Sequence, residues 1–198
     1  PRRGCVLTRT LPAINSGKSA PRRRRPAGGR RALAVVLGLA ALVAVPSVGA
    51  QSAKGTLQAN GRTADLVHAI AVEVDSATEP GYLDVVVVLS DRRLSAAQAR
   101  DAAGLEAMSR RDALVALRVV LNPDARVMGA EPLHPAFTTF VSSALWVRFE
   151  PTAYDEKRIA GRLRTPGPQN EFRQQWSYDV SFSAPIVLDP DATTVPRR

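Results

Sequence analysis

The residues of this 198-residue chain that could do chemistry are few: two histidines, His68 and His134, one cysteine, Cys5, and scattered serines and acids. A zinc site takes three or four protein ligands, and neither histidine has a second ligand at a recognisable spacing, so no metal site is expected. His68 shares its parity with Leu66, Ile70, Val72 and Val74, which marks it as a core histidine of a strand. His134 lies in Pro132-Leu133-His134-Pro135, where each proline fixes its own φ and pushes its predecessor toward extended backbone. A histidine displayed on so stiff a connection is the better candidate for binding or proton transfer.

Nucleophilic catalysis has no signature. Residues 51–198 contain no G-x-S-x-G elbow, no H-E-x-x-H helix, no S-x-x-K and no glycine-rich phosphate loop. Gly17-Lys18-Ser19 would need a glycine at position 12, where Pro12 stands. Ser142 and Ser143 are adjacent without an assignable partner, and the acid pairs Asp155-Glu156 and Asp189 with Asp191 fall in turn-like or tail segments, where solvated charge is the ordinary reading. No catalytic residue and no cofactor is expected. A reaction, if there is one, would be a hydrolysis at a site near His134 that only the fold assembles.

One arrangement suggests a binding surface. Arg158, Arg162 and Arg164 share a parity opposite Ile159 and Leu163, and Arg148 shares one with Trp146. On two paired strands these side chains form a basic outer face beside a tryptophan, suited to an anionic envelope polymer or an acidic protein partner.

The elements that must position these residues are mostly strands. Asn60-Gly61 ends a run from Lys54 to Ala59 and is a strong hairpin signal, because both residues tolerate positive φ. Thr63 to Val74 alternates and is expected to bury mainly one face. Val85 to Leu89 is unbroken and apolar, as a central strand covered on both sides would be. Ser95 and Gln98 form a capping box that opens one alanine-rich helix over about 95–110, with Glu106 and Arg110 at i, i+4. Its apolar stripe is thin, so it is expected to cover a sheet edge or end. Ala113–Leu121 and Arg126–Glu131 make a hairpin around Asn122-Pro123-Asp124-Ala125. Phe140–Glu150, Lys157–Arg164 and Gln174–Leu188 complete the set, and in the last Trp176, Tyr178, Val180 and Phe182 face one way. The expected fold is mainly β, an antiparallel β-sandwich or partly closed barrel of about eight strands with one short helix.

Charge places the chain. Of the 27 Lys and Arg, ten precede Gln51, while all 18 Asp and Glu follow Ala50; residues 51–198 therefore carry 17 basic and 18 acidic groups, a net −1. A nucleic-acid footprint is thereby excluded for that part. Arg22–Arg31, the fourteen apolar residues Ala32–Val45 and the small residues up to Ala50 have the order of a secretory signal, with cleavage expected after Ala50. A fourteen-residue helix reaches about 21 Å, short of a bilayer core. Extended to Ala50 the segment could serve as an uncleaved anchor, the one route to a membrane. Residues 1–21 are expected to be a disordered or misassigned extension, 51–188 a single β-rich domain, and 189–198 a flexible tail. Cysteine is absent after the leader, so neither a disulfide nor a lipid anchor is expected there.

Val87-Val88-Leu89-Ser90-Asp91, Leu133-His134-Pro135-Ala136-Phe137, Ile159-Ala160-Gly161-Arg162-Leu163 and Tyr178–Ile186 resemble a loose group of exported bacterial β-rich proteins without an established activity. The resemblance spans about Gly55 to Ile186 and implies an exported bacterial β-rich protein in the periplasm or outside the cell. With the site chemistry, it leads to the expectation of a non-catalytic binding or envelope structural domain.

Overall fold

The computed structural model describes residues 51–188. The expected extension 1–21, leader 22–50 and tail 189–198 lie outside the described residues.

Among the described residues ten strands and two short helices follow one another: β1 (Ser52–Ala59), β2 (Arg62–Leu66), β3 (His68–Asp75), β4 (Leu83–Ser90), α1 (Ala96–Arg100), α2 (Ala102–Arg110), β5 (Ala116–Leu121), β6 (Val127–Leu133), β7 (Arg148–Tyr154), β8 (Arg158–Arg164), β9 (Gln169–Glu171) and β10 (Gln174–Val187). The fold is mainly β, as expected, in one large sheet ordered β2-β1-β10-β3-β4-β5-β6, with β8 and β9 also on β10 and β7 on β8. It is mixed and not closed into a barrel. Short β9 and the break between β2 and β3 account for the strands beyond the expected eight.

β10 is the spine. Its fourteen residues alternate buried and less buried without a fault, because Trp176, Tyr178, Val180, Phe182, Ala184 and Ile186 all enter one core. β1 runs antiparallel along one edge, from Ser52 opposite Ser183 to Ala59 opposite Trp176, and β8 lies along the other. Beyond the start of β1 the edge passes to β3, with Ile186 opposite Ala71 in a parallel pairing. The expectation of a wholly antiparallel sheet fails here for a simple reason. β2 and β10 are both antiparallel to β1 and so run the same way, and β3 continues β2 past Val67.

The turn chemistry is as read. Asn60 and Gly61 have φ of 48° and 79° and close β1 on β2 with Ala59 opposite Arg62. Asn122 Oδ1 accepts the amides of Asp124 and Arg126 at 3.1 and 2.9 Å, turning β5 into β6. β4 is buried along its whole length.

Three local expectations are corrected. Thr63–Val74 is not one strand with one buried face: it breaks at Val67, and Ala69 to Glu73 are buried on both sides. β3 lies between two cores, giving Ala69 and Ala71 to one and Ile70 and Val72 to the other. The helix over 95–110 is two helices, because Asp101 accepts the amide of Gly104 at 2.9 Å and caps a new start. The Ser95–Gln98 capping box is formed in full. These helices do not merely cover an edge; Ala99 and Leu105 build the second core with Val86, Val88, Leu114 and Leu133. Among the described residues no helix is long and apolar enough to cross a membrane.

Candidate functional site

His134 follows β6 directly and is buried, with 7% of its surface exposed. It lines a cleft of about 200 Å³ to which α2 contributes Glu106, Ser109 and Arg110, while Pro132, Leu133, Phe137, Phe140 and Val141 supply apolar surface and Thr138 and Thr139 hydroxyls. The His134 carbonyl accepts the Phe137 amide at 3.0 Å, which folds the connection back on itself. That turn brings the Phe137 ring edge-on to the imidazole, 6.1 Å between centroids.

The imidazole is fixed in one role. Nδ1 accepts the Ala136 amide at 2.9 Å, so the neutral ring carries its proton on Nε2. Nε2 makes no hydrogen bond within the described residues and is left as a donor. Burial lowers the pKa of His134, the charge of Arg62 lowers it further, and Asp112 opposes them. A donor-only nitrogen cannot take a proton from Ser109. Glu106 is also occupied, by Arg110 at 2.5 Å.

Two residues that the sequence did not single out for this role hold the connection. Asn60 Nδ2 donates to the Ala136 carbonyl at 2.9 Å and to Gln174 Oε1 at 2.5 Å, and Asn60 Oδ1 accepts the Gln175 amide at 2.8 Å. Buried Gln174 in turn donates to Thr138 Oγ1 at 2.6 Å. The β1–β2 turn and the start of β10 thus hold Ala136 and Thr138, and the Ala136 amide is the group that donates to His134 Nδ1.

The segment expected to be a strand from Phe140 begins its strand only at Arg148. Before that it lies beside β6, with the Ser143 amide on the Ala130 carbonyl at 2.9 Å, and it leaves Phe140, Leu145 and Trp146 exposed at 43%, 85% and 44%. Trp146 is therefore on a connection, not on the strand face with Arg148.

Arg148, Arg158, Arg162 and Arg164 stand on β7 and β8, and none lines the His134 cleft. Arg162 grips both carboxylate oxygens of Asp179 on β10, which holds the Asp179 carboxyl below its ordinary pKa. Arg164 donates twice to Glu150 Oε1, at 3.0 and 2.5 Å, and Arg158 twice to Ser183 Oγ, at 3.3 and 3.0 Å. Arg148, opposite Arg164 in the β7–β8 register, has no such partner within the described residues. Asp155 serves the β7–β8 turn, accepting the amides of Lys157 and Arg158 at 2.8 and 2.9 Å. His68, expected in the core, is only partly buried, at the end of β3 opposite Ser90.

Among the described residues no three His, Cys, Asp or Glu side chains are grouped to hold a metal ion. Compared with known proteins, the chain matches no family model, no curated protein and no solved structure.

Proposed function

We propose that this chain is an exported, non-catalytic binding domain that recognises an acidic protein partner through the connection between β6 and β7. The observation that carries the reading is the exposure of Phe140, Leu145 and Trp146 on one segment whose first half is clamped by Asn60 and Gln174. Exposed aromatic and aliphatic side chains gathered on one segment are what interface anchors require, and the clamp on its first half leaves less ordering entropy to be lost on binding. Arg148, two residues after Trp146 and without an acid partner among the described residues, supplies complementarity to a carboxylate. The cleft is of a size for one side chain, and His134 Nε2–H suits a carbonyl beside it. An anionic envelope polymer is less well served, because a continuous basic track is interrupted where Arg162 and Arg164 are matched by Asp179 and Glu150.

The address is read from the leader: residues 22–50 direct export, with cleavage after Ala50 and Gln51 as the first residue of the working protein. The architecture is read as an open sandwich. Side chains of β1, β2, β8 and β10 share one core with those of β3, β4 and β5, as two facing layers would.

Panning a random peptide library against the protein tests the binding reading. Peptides with an aromatic or aliphatic residue beside an acid are expected, and they should lose affinity for Leu145→Ser and Trp146→Ala variants while keeping it for Arg158→Ala. Selected peptides that bind all of these alike, or no selection at all, would overturn it. A concentration-dependent dimer broken by the same substitutions would replace the partner by a second copy of this chain.

One observation favours a hydrolase instead, namely that Glu106 and Ser109 line the cleft with His134. Turnover of p-nitrophenyl esters that disappears in Ser109→Ala, with stability kept, would establish that reading. The Nδ1 hydrogen bond argues that no such turnover occurs.

A further inference from the structure

A second cavity, of about 310 Å³, opens where β2 passes into β3, and Gln51, His68, Ser90, Arg93 and Leu94 are among the residues that line it. The corner is built by the backbone. The Val67 amide donates to the Ser90 carbonyl at 3.0 Å, and the Val67 carbonyl accepts the Ala53 amide at 3.2 Å, so three strands are pinned around the break. His68 then stands opposite Ser90 across the β3–β4 pair.

Among the described residues the lining is cationic and contains no carboxylate. Arg93 is exposed and, like the His68 imidazole, has no side-chain hydrogen bond or ion pair within the described residues. The acid closest in sequence, Asp91, is already committed: Arg92 donates to both its oxygens at 3.2 and 3.1 Å, and the Val115 amide to Oδ1 at 3.2 Å. Ser90 Oγ spends its proton on the Arg92 carbonyl at 2.6 Å. Arg93 and His68 thus bring a guanidinium fork and an imidazole to the lining, with no anion beside them among the described residues, next to the apolar surface of Ile70 and Leu94.

We propose that this cavity binds a small molecule through an oxyanion, carboxylate or phosphate, held between Arg93 and His68. A planar fork of N–H donors matches either oxyanion, and an imidazole N–H adds a second direction. The volume exceeds that of the anion alone, so a short apolar body can lie against Leu94.

Titration of the 15N-labelled protein with inorganic phosphate, and separately with butyrate, at ionic strength held constant with chloride tests this. Saturable amide shifts confined to residues around His68, Ser90 and Arg93 are expected. The dissociation constant should rise about tenfold or more in Arg93→Gln and in His68→Gln, and less in Arg93→Lys, which keeps the charge without the fork. Each variant is compared at equal folded fraction, judged by its thermal midpoint without anion. Whichever probe binds more tightly identifies the class. Shifts that do not saturate, or that persist unchanged in both glutamine variants, would overturn the proposal.

Discussion

The rings of Phe149 on β7 and Phe182 on β10 stack with 6.0 Å between centroids and 25° between planes, and they do so across the intervening strand β8. Gly161 makes the contact possible. It is opposite Phe182, and a Cβ there would lie 2.7 Å from Phe149 Cε2 and 2.5 Å from the Glu150 carbonyl. Gly161→Ala should therefore cost about 1–3 kcal/mol through forced displacement of ring and backbone. Urea unfolding at unchanged slope checks it, with Gly129→Ala as control, since nothing lies within 4 Å of a Cβ there.

His134 gives the fold a pH dependence with a definite sign. Its folded-state pKa is lowered from 6.5 by burial and by Arg62, so the unfolded chain takes up the proton first. Stability from this group is complete above about pH 6.5 and is lost as the pH falls toward the folded value. A His134→Gln variant should lack that acid slope, measured as thermal midpoint against pH. An equal slope in both proteins would show that another group is responsible.

Asp84 acts in the opposite sense. Its Oδ1 is buried without a partner, and burial raises the carboxyl pKa, with Glu79 adding to this and a hydrogen bond from Ser76 opposing it. The folded state keeps this proton to a higher pH than the unfolded state, so the group gains stability as the pH falls through its folded value. Asp84→Asn should be more stable than the parent at pH 7, and the difference should shrink on acidification. Parallel curves at all pH values would refute this.

The proposed leader is tested by mass. Protein recovered after export should begin at Gln51, and a recovered chain that still carries Arg30 would exclude cleavage after Ala50.

What the sequence revealed is what neighbouring residues decide. The positive φ at Asn60-Gly61, the capping box at Ser95 and Gln98, the burial of all of β4 and the alternation of β10 each follow from a few adjacent side chains. Pairings between distant residues were not legible. Asn60 and Gln174 are 114 positions apart, and neither type announces that it will clamp Ala136 and Thr138. The arginines of β8 showed their parity, but their acids come from β7 and β10, so the balance of that face depended on strand order. The break of the helix at Asp101 was missed because an aspartate within a helical pattern is read as tolerated until its side chain is seen capping Gly104.

β1, β3 and β8 all take a neighbour from β10, the last strand of the described chain. β10 is made long after β1, so β1 has only its hairpin neighbour β2 beside it through more than a hundred residues of synthesis. During that interval the sides of β1, β3 and β8 that β10 covers in the finished sheet stay without that neighbour.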